Sequence, residues 1–177
     1  MSAVLIPIVN LCRQDYILCE IRSDEVPQPG EICLPGGHAL DGETVIETAI
    51  RETIEELAIP VEYITPTGEE FSNTMVSGME IHAATARIDC RALSAIRRNE
   101  HEVAGWFLLP VNWLRNHKPV SVEYNDISSM PEALRHYLKG YDTPLEGSTI
   151  YWDYEGRIIW GLTARLINSY LELTAKK

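Results

Sequence analysis

Basic residues are scarce in this chain. Fifteen Lys and Arg stand against 26 Asp and Glu, a formal charge of −11. A surface that acidic repels phosphate backbones and anionic lipid heads, which argues against nucleic-acid and membrane partners. It also sets a condition: an anionic substrate needs something positive to hold it, and a divalent metal is the economical answer. Cysteine is sparse as well. Cys12, Cys19, Cys33 and Cys90 form no CxxC pair. The first three fall in strand-like segments, so the thiols read as reduced and mostly buried rather than as a disulfide framework. Long apolar runs are missing too. Ala3 to Val9 is broken by Pro7 and lacks a basic lead; it is too short for a membrane span and wrong for a secretion signal. The cytoplasm is the expected location. Without repeats, low-complexity tracts or linkers, residues 1–177 read as one domain with room for a sizeable core.

What is present is a succession of short strands with few helices. Ala3–Leu11 and Tyr16–Arg22 are β-branched or aromatic-rich runs around a polar turn, and they predict a strand pair. Glu31–Leu34 predicts a short strand ended by a Pro35-Gly36-Gly37 breaker. The clearest helix runs from about Glu43 to Leu57, with Glu43 and Glu47 in its first turns and Pro60 beyond its end. Ile46, Ala49, Ile50, Thr53 and Leu57 recur at three- and four-residue steps and should face a sheet. Tyr63–Thr67 and Glu80–Ile88 predict strands around a polar loop from Gly68 to Gly78, followed by a strand over Val103–Leu108 and a short helix from Pro110 to Asn116. Lys118 to Gly147 is punctuated by Pro and Gly and yields only a short helix near Pro131–Leu138. Ile150–Tyr154 and Arg157–Trp160 flank Glu155-Gly156, a hairpin signal, and Leu162–Leu173 predicts a closing helix with Leu166, Ile167 and Tyr170 inward. Strands outnumber helices without strict alternation. That predicts an α/β (α+β) fold, a mixed sheet between helices.

The chemistry is concentrated between Gly36 and Glu56. On a helix, Glu52, Glu55 and Glu56 are separated by three- and four-residue steps and project from one face. Like charges at those steps repel, and Arg51 alone cannot neutralise three carboxylates. Such an oxygen-rich cluster suits a hard cation, Mg²⁺ or Mn²⁺. A solvated acidic face is the bland alternative. The two glycines before the helix argue against it, because they let the backbone approach a metal or phosphate and offer a carbonyl as ligand.

Gly37, five residues, Glu43, seven residues, then Arg51-Glu52-Thr53-Ile54-Glu55-Glu56-Leu57-Ala58-Ile59 resembles the Nudix box. One departure is Ala58, where the box usually carries glycine. The resemblance implies a Nudix-type α/β/α sandwich and metal-dependent cleavage of a phosphoanhydride bond in a small-molecule nucleoside diphosphate derivative. It implies Gly37, Glu52, Glu55, Glu56 and Glu102 as metal ligands and Arg51, Glu55 and Glu102 in catalysis. Arg51 would orient the carboxylates and Glu43 would brace the turn into the helix. Glu102, just before a strand, matches the family's Glu-Val pattern; Glu100 and His101 are the neighbours that could substitute as base. A homodimer is expected by the same resemblance.

Arg22-Ser23 and Gln28-Pro29-Gly30-Glu31-Ile32-Cys33-Leu34-Pro35-Gly36-Gly37 are similar to the stretch before the box in coenzyme A pyrophosphatases, and Ile159 to Arg165 is similar to that branch's closing segment. The resemblance implies coenzyme A or acyl-coenzyme A as substrate, with Arg22 and Ser23 as substrate-binding residues. Val26 stands where the branch carries a cation for the 3′-phosphate, and Arg22 and Arg13 are the candidate replacements. ADP-ribose or another nucleoside diphosphate derivative is the alternative substrate. A Nudix-like sensor that binds without cleaving is a different class, and the intact glutamates argue against it.

Overall fold

The structure is a computed structural model that describes residues 1–74, 78, 80–139, 141 and 145–175. The chain opens with a long hairpin, β1 (Ser2–Leu11) and β2 (Gln14–Arg22). Its tight turn places Cys12 and Arg13 at positive φ, so Cys12 is exposed rather than buried. Cys19 lies in the core as expected, and all four cysteines are free.

Two very short strands follow, β3 (Ile32–Cys33) and β4 (Gly36–His38). Here β1 and β2 part company. Their register runs only from Ile8↔Ile17 to Leu11↔Gln14. Beyond it, β3 pairs with β2 (Glu20↔Cys33) and β4 pairs with β1 (Ala3↔Gly37). The 32–38 segment is therefore a wedge hydrogen-bonded on both sides, and the Gly36-Gly37 breaker expected from the sequence is itself a strand.

Helix α1 (Val45–Leu57) starts two residues later than the sequence suggests. Thr44 is its N-cap and forms a capping box with Glu47, which satisfies orphan amides at both positions. Glu43 thus lies outside the helix. Strand β5 (Ile64–Thr74) runs through most of the expected polar loop, carried past it by a bulge between Pro66 and Glu70; residues 75–77 of that loop lie outside the described residues. Strand β6 (Glu80–Ile88) pairs with β5 and, in parallel, with β1; β7 (Val103–Pro110) pairs with β2. The result is a seven-stranded mixed sheet.

Helix α2 (Val111–Asn116) leads to a second, antiparallel sheet of β8 (Val120–Glu123), β9 (Ser148–Tyr154) and β10 (Arg157–Trp160). Strand β8 was not legible in the sequence. Helix α3 (Glu132–Leu138) packs on this sheet, and α4 (Gly161–Ala175) closes the described chain.

Each face of the large sheet has its own core. On one side Ala49 and Leu57 of α1 pack with Leu5, Val9 and Leu18. On the other, Leu166, Ile167 and Tyr170 of α4 pack with Ile6, Ile8 and Ile17. Burying each such Leu or Ile contributes roughly 1.5–3 kcal/mol. The alternation along β1 and β2, with both parities apolar, is what a sheet covered on both faces requires. Helix, mixed sheet, helix is the layering that the sequence predicts. Among the described residues no helix is long and apolar enough to cross a membrane.

Candidate active site

The wedge and α1 meet where the glycines approach the glutamates. A Cβ added at Gly37 would overlap the Glu52 carboxylate, and one at Gly36 would overlap the Ala3 carbonyl and Val4. Only glycine permits this approach. The Gly36 amide donates to Glu56 Oε2 at 2.9 Å, tying the wedge to the last turn of the helix. Glu52 and Glu56 are largely withdrawn from solvent, whereas the Glu55 side chain is 54% exposed. The three carboxylates therefore divide, two toward the glycines and one toward solvent.

Arg51 is the hub on the outer side. Its Nε and Nη2 donate to the two Glu43 oxygens at 2.7 and 3.1 Å, and its Nη1 meets Glu52 Oε1 at 3.0 Å and Glu55 Oε2 at 3.1 Å. A further bond runs to the His38 carbonyl at 2.9 Å. The planar fork is suited to several carboxylates at once. Glu43 also accepts from the Leu40 amide and the Thr48 hydroxyl. Arg51, then those donors, hold the Glu43 carboxyl down at about 2. Glu43 braces the turn into the helix from outside the helix itself.

Glu102 comes from the turn before β7. That turn is fastened to the end of α1, since Asn99 N donates to Glu56 O at 2.7 Å and Arg97 N to Leu57 O at 3.0 Å. Ser23 fastens it from the other side: its amide donates to Glu102 O at 2.9 Å and its hydroxyl to His101 O. Ser23 is buried, and through these two bonds it holds the loop that carries Glu102. Glu100 and His101 point elsewhere. Glu100 pairs with Arg98 at 3.3 Å and His101 with Glu25 at 2.8 Å; the Glu25 carboxylate raises the His101 pKa. Of the three neighbours, Glu102 alone raises the pKa of both buried glutamates of the site.

The second of those buried glutamates escaped the sequence reading. Glu20 on β2 is only 1% exposed, and its Oε1 has no hydrogen-bond partner. It lies two residues past Leu18, so it points to the same face, toward α1. Burial first, then the Glu102 charge, pushes it up to about 8, against the pull of Cys33 and Arg22. Burial likewise pushes Glu56 up to about 9, with Glu20, Glu52 and Glu102 adding to it. Four carboxylates thus raise one another's energy around two glycines. Among the described residues no three His, Cys, Asp or Glu side chains already share one coordination sphere, as expected of like charges without a counter-ion. The donors are all oxygen, and one is orphaned and buried; that set fits a hard divalent cation.

Beside the carboxylates, with Gly36 on its wall, opens a cavity of about 360 Å³. Arg22 lines it, donating its Nε to the Pro27 carbonyl at 2.7 Å. Arg13 stands at the hairpin turn at the far end of β2 and does not line this cavity. Tyr124, Tyr141 and Trp160 form an aromatic wall. Tyr137 and Gln28 hold that wall to the 28–31 stretch, the first through Gly30 O at 3.1 Å and the second through Tyr141 Oη at 2.8 Å.

Residues 1–129 match the family model described as NUDIX domain. The chain is 31% identical over 170 residues to the uncharacterized Nudix hydrolase NudL of Yersinia pestis (strain Pestoides F), covering 94% of this chain and 75% of the relative. The NudL of Yersinia pseudotuberculosis serotype O:1b (strain IP 31758) matches to the same extent. Among solved structures, an Ap4A hydrolase of C. elegans in a binary complex aligns with a TM-score of 0.55 at 20% identity, covering 80% of this chain and 100% of that one; this likeness is one of fold. On these matches the chain belongs to the Nudix hydrolase family.

Proposed function

We propose that this Nudix hydrolase is a divalent-cation-dependent pyrophosphohydrolase that cleaves the diphosphate of coenzyme A or its acyl derivatives, releasing 3′,5′-ADP and (acyl-)phosphopantetheine. The observation that carries the chemistry is the gathering of Glu20, Glu52, Glu56 and Glu102 around Gly36-Gly37, with an orphaned carboxylate oxygen among them. A bound Mg²⁺ or Mn²⁺ supplies neutralisation of the diphosphate and acidity to a water molecule. Glu52, Glu55, Glu56 and Glu102, with the Gly37 carbonyl, are the groups to hold it. Arg51 positions Glu52 and Glu55 through the bonds described above. Water oxygen bonds to one phosphorus, the bridging oxygen leaves with the other, and Glu102 takes the water's proton. Positioning and charge stabilisation do most of the work in such a reaction. The substrate assignment draws support from the similarity of Gln28 to Gly37 to the coenzyme A branch and from Arg22 on the adjoining cavity wall.

The test is turnover of coenzyme A, its 3′-dephospho form and ADP-ribose, with products read by mass. Hydrolysis is expected to vanish in EDTA and return with Mg²⁺ or Mn²⁺, and Glu56→Gln is expected to lower kcat by about 10²-fold or more. Full turnover in chelator would overturn the mechanism. Faster cleavage of ADP-ribose than of coenzyme A would overturn the substrate assignment alone.

A further inference from the structure

The cavity beside the carboxylates carries two guanidinium groups against one carboxyl group, Glu31. Two guanidinium groups, Arg22 and Arg165, sit on its wall, and neither forms an ion pair with a carboxylate among the described residues. Each spends one bond on a carbonyl, Arg22 on Pro27 and Arg165 on Ser148 at 2.7 Å, which leaves most of the fork's five donors uncommitted. Trp160, on the same wall, is 4% exposed, and its indole N–H lies against the Glu31 carboxyl. Gly161 opens the fifteen-residue helix α4 on the same wall and adds the positive end of its dipole. The acidic group on this wall is Glu31; burial raises its pKa to about 7, against the pull of the Trp160 indole and of Arg22, so one carboxyl faces two guanidinium groups. A cavity of donors and cations on a protein of charge −11 selects an acceptor-rich anion.

We propose that Arg165 and Arg22, on the wall of this cavity, form a subsite for a phosphomonoester on the organic part of the substrate, distinct from the diphosphate that is cleaved. This rests on the reading of the protein as a coenzyme A pyrophosphohydrolase and adds to it Arg165, which lies beyond the 1–129 stretch matched by the family model. The subsite replaces the cation that Val26 does not supply.

Two measurements test it separately from turnover of the diphosphate. The first is calorimetric binding of adenosine 3′,5′-bisphosphate against adenosine 5′-monophosphate. The unaltered protein is expected to favour the bisphosphate by about 10-fold or more, the worth of one charge-assisted hydrogen bond. Arg165→Ala is expected to bring that ratio within about twofold, with Arg165→Lys retaining part of it because a point charge replaces a fork. The ratio is taken within one preparation, so partial unfolding cancels. The second is the kcat/KM ratio of coenzyme A to its dephospho form, expected to narrow in parallel. A bisphosphate preference absent from the unaltered protein, or unchanged in Arg165→Ala, overturns the subsite whether or not the diphosphate is hydrolysed. Absence of hydrolysis on every substrate, with the binding preference intact, overturns the proposed reaction and leaves the subsite standing.

Discussion

Glu20 carries a cost that only a partner can remove. A carboxylate this deeply buried with one free oxygen is expensive to ionise, which is why it is held near 8. Since that is above its ordinary value, its contribution to stability is present at low pH and lost as pH rises through 8. Glu20→Gln keeps the shape and removes the charge. In EDTA the variant is expected to melt above the parent, with a gap that widens from pH 6 to pH 9, and to show a smaller Mg²⁺-induced rise in Tm. A variant that melts below the parent in chelator at pH 9 would mark Glu20 as a structural residue. The contrast with α1 shows what was legible. Glu52, Glu55 and Glu56 could be read because helical spacing gathers them on one element. Glu20 sits between Cys19 and Ile21 in a strand whose neighbours are apolar on both faces, where a single acid shows no local pattern that ties it to the cluster on α1. The tie from Ser23 to the loop was hidden for a related reason: its bond to His101 spans 78 residues, a distance no local pattern reports.

At the scale of elements, turn chemistry decided where expectation and structure part. Ala58 caps α1 in the left-handed region, φ 51°, with its amide bonded to Ile54 O at 2.8 Å. A Cβ there costs roughly 1–2 kcal/mol, offset in part by the greater unfolded-state freedom of glycine. Ala58→Gly is therefore expected to raise stability by about 0.5–1 kcal/mol, seen as a Tm shift of a few degrees in a chain of this size. The side chain is exposed, so a lower Tm could not be blamed on lost packing and would contradict the strain argument. Long periodic elements, β1, β2, α1 and α4, were all readable from side-chain pattern. Strand β5 was not, because a bulge carries polar residues through it. Nor was β4, because its pairing with β1 overrides the tendency of two glycines to end a strand.

For the whole molecule, titration runs in two directions. Glu31, Glu20 and Glu56 are raised to about 7, 8 and 9, so their contribution is complete below the ordinary carboxylate value and drains away as pH climbs through that range. Arg51 and Arg91 lower Glu43 and Asp89 to about 2, and the stability those two confer disappears only as pH falls toward 2. Without divalent cations the urea midpoint is expected to peak near pH 4.5 and to decline toward pH 9. Saturating Mg²⁺ is expected to flatten the alkaline side. A midpoint that rises from pH 6 to 9 in EDTA would contradict the raised carboxylates. The wedge of residues 32–38 has a consequence of its own. Its left and right borders belong to strands that begin at opposite ends of a hairpin, and its glycine is pinned to a helix that follows it. Both strands of the hairpin and α1 therefore share one short segment, and a change at any of the three bears on the contact between Gly36 and Glu56.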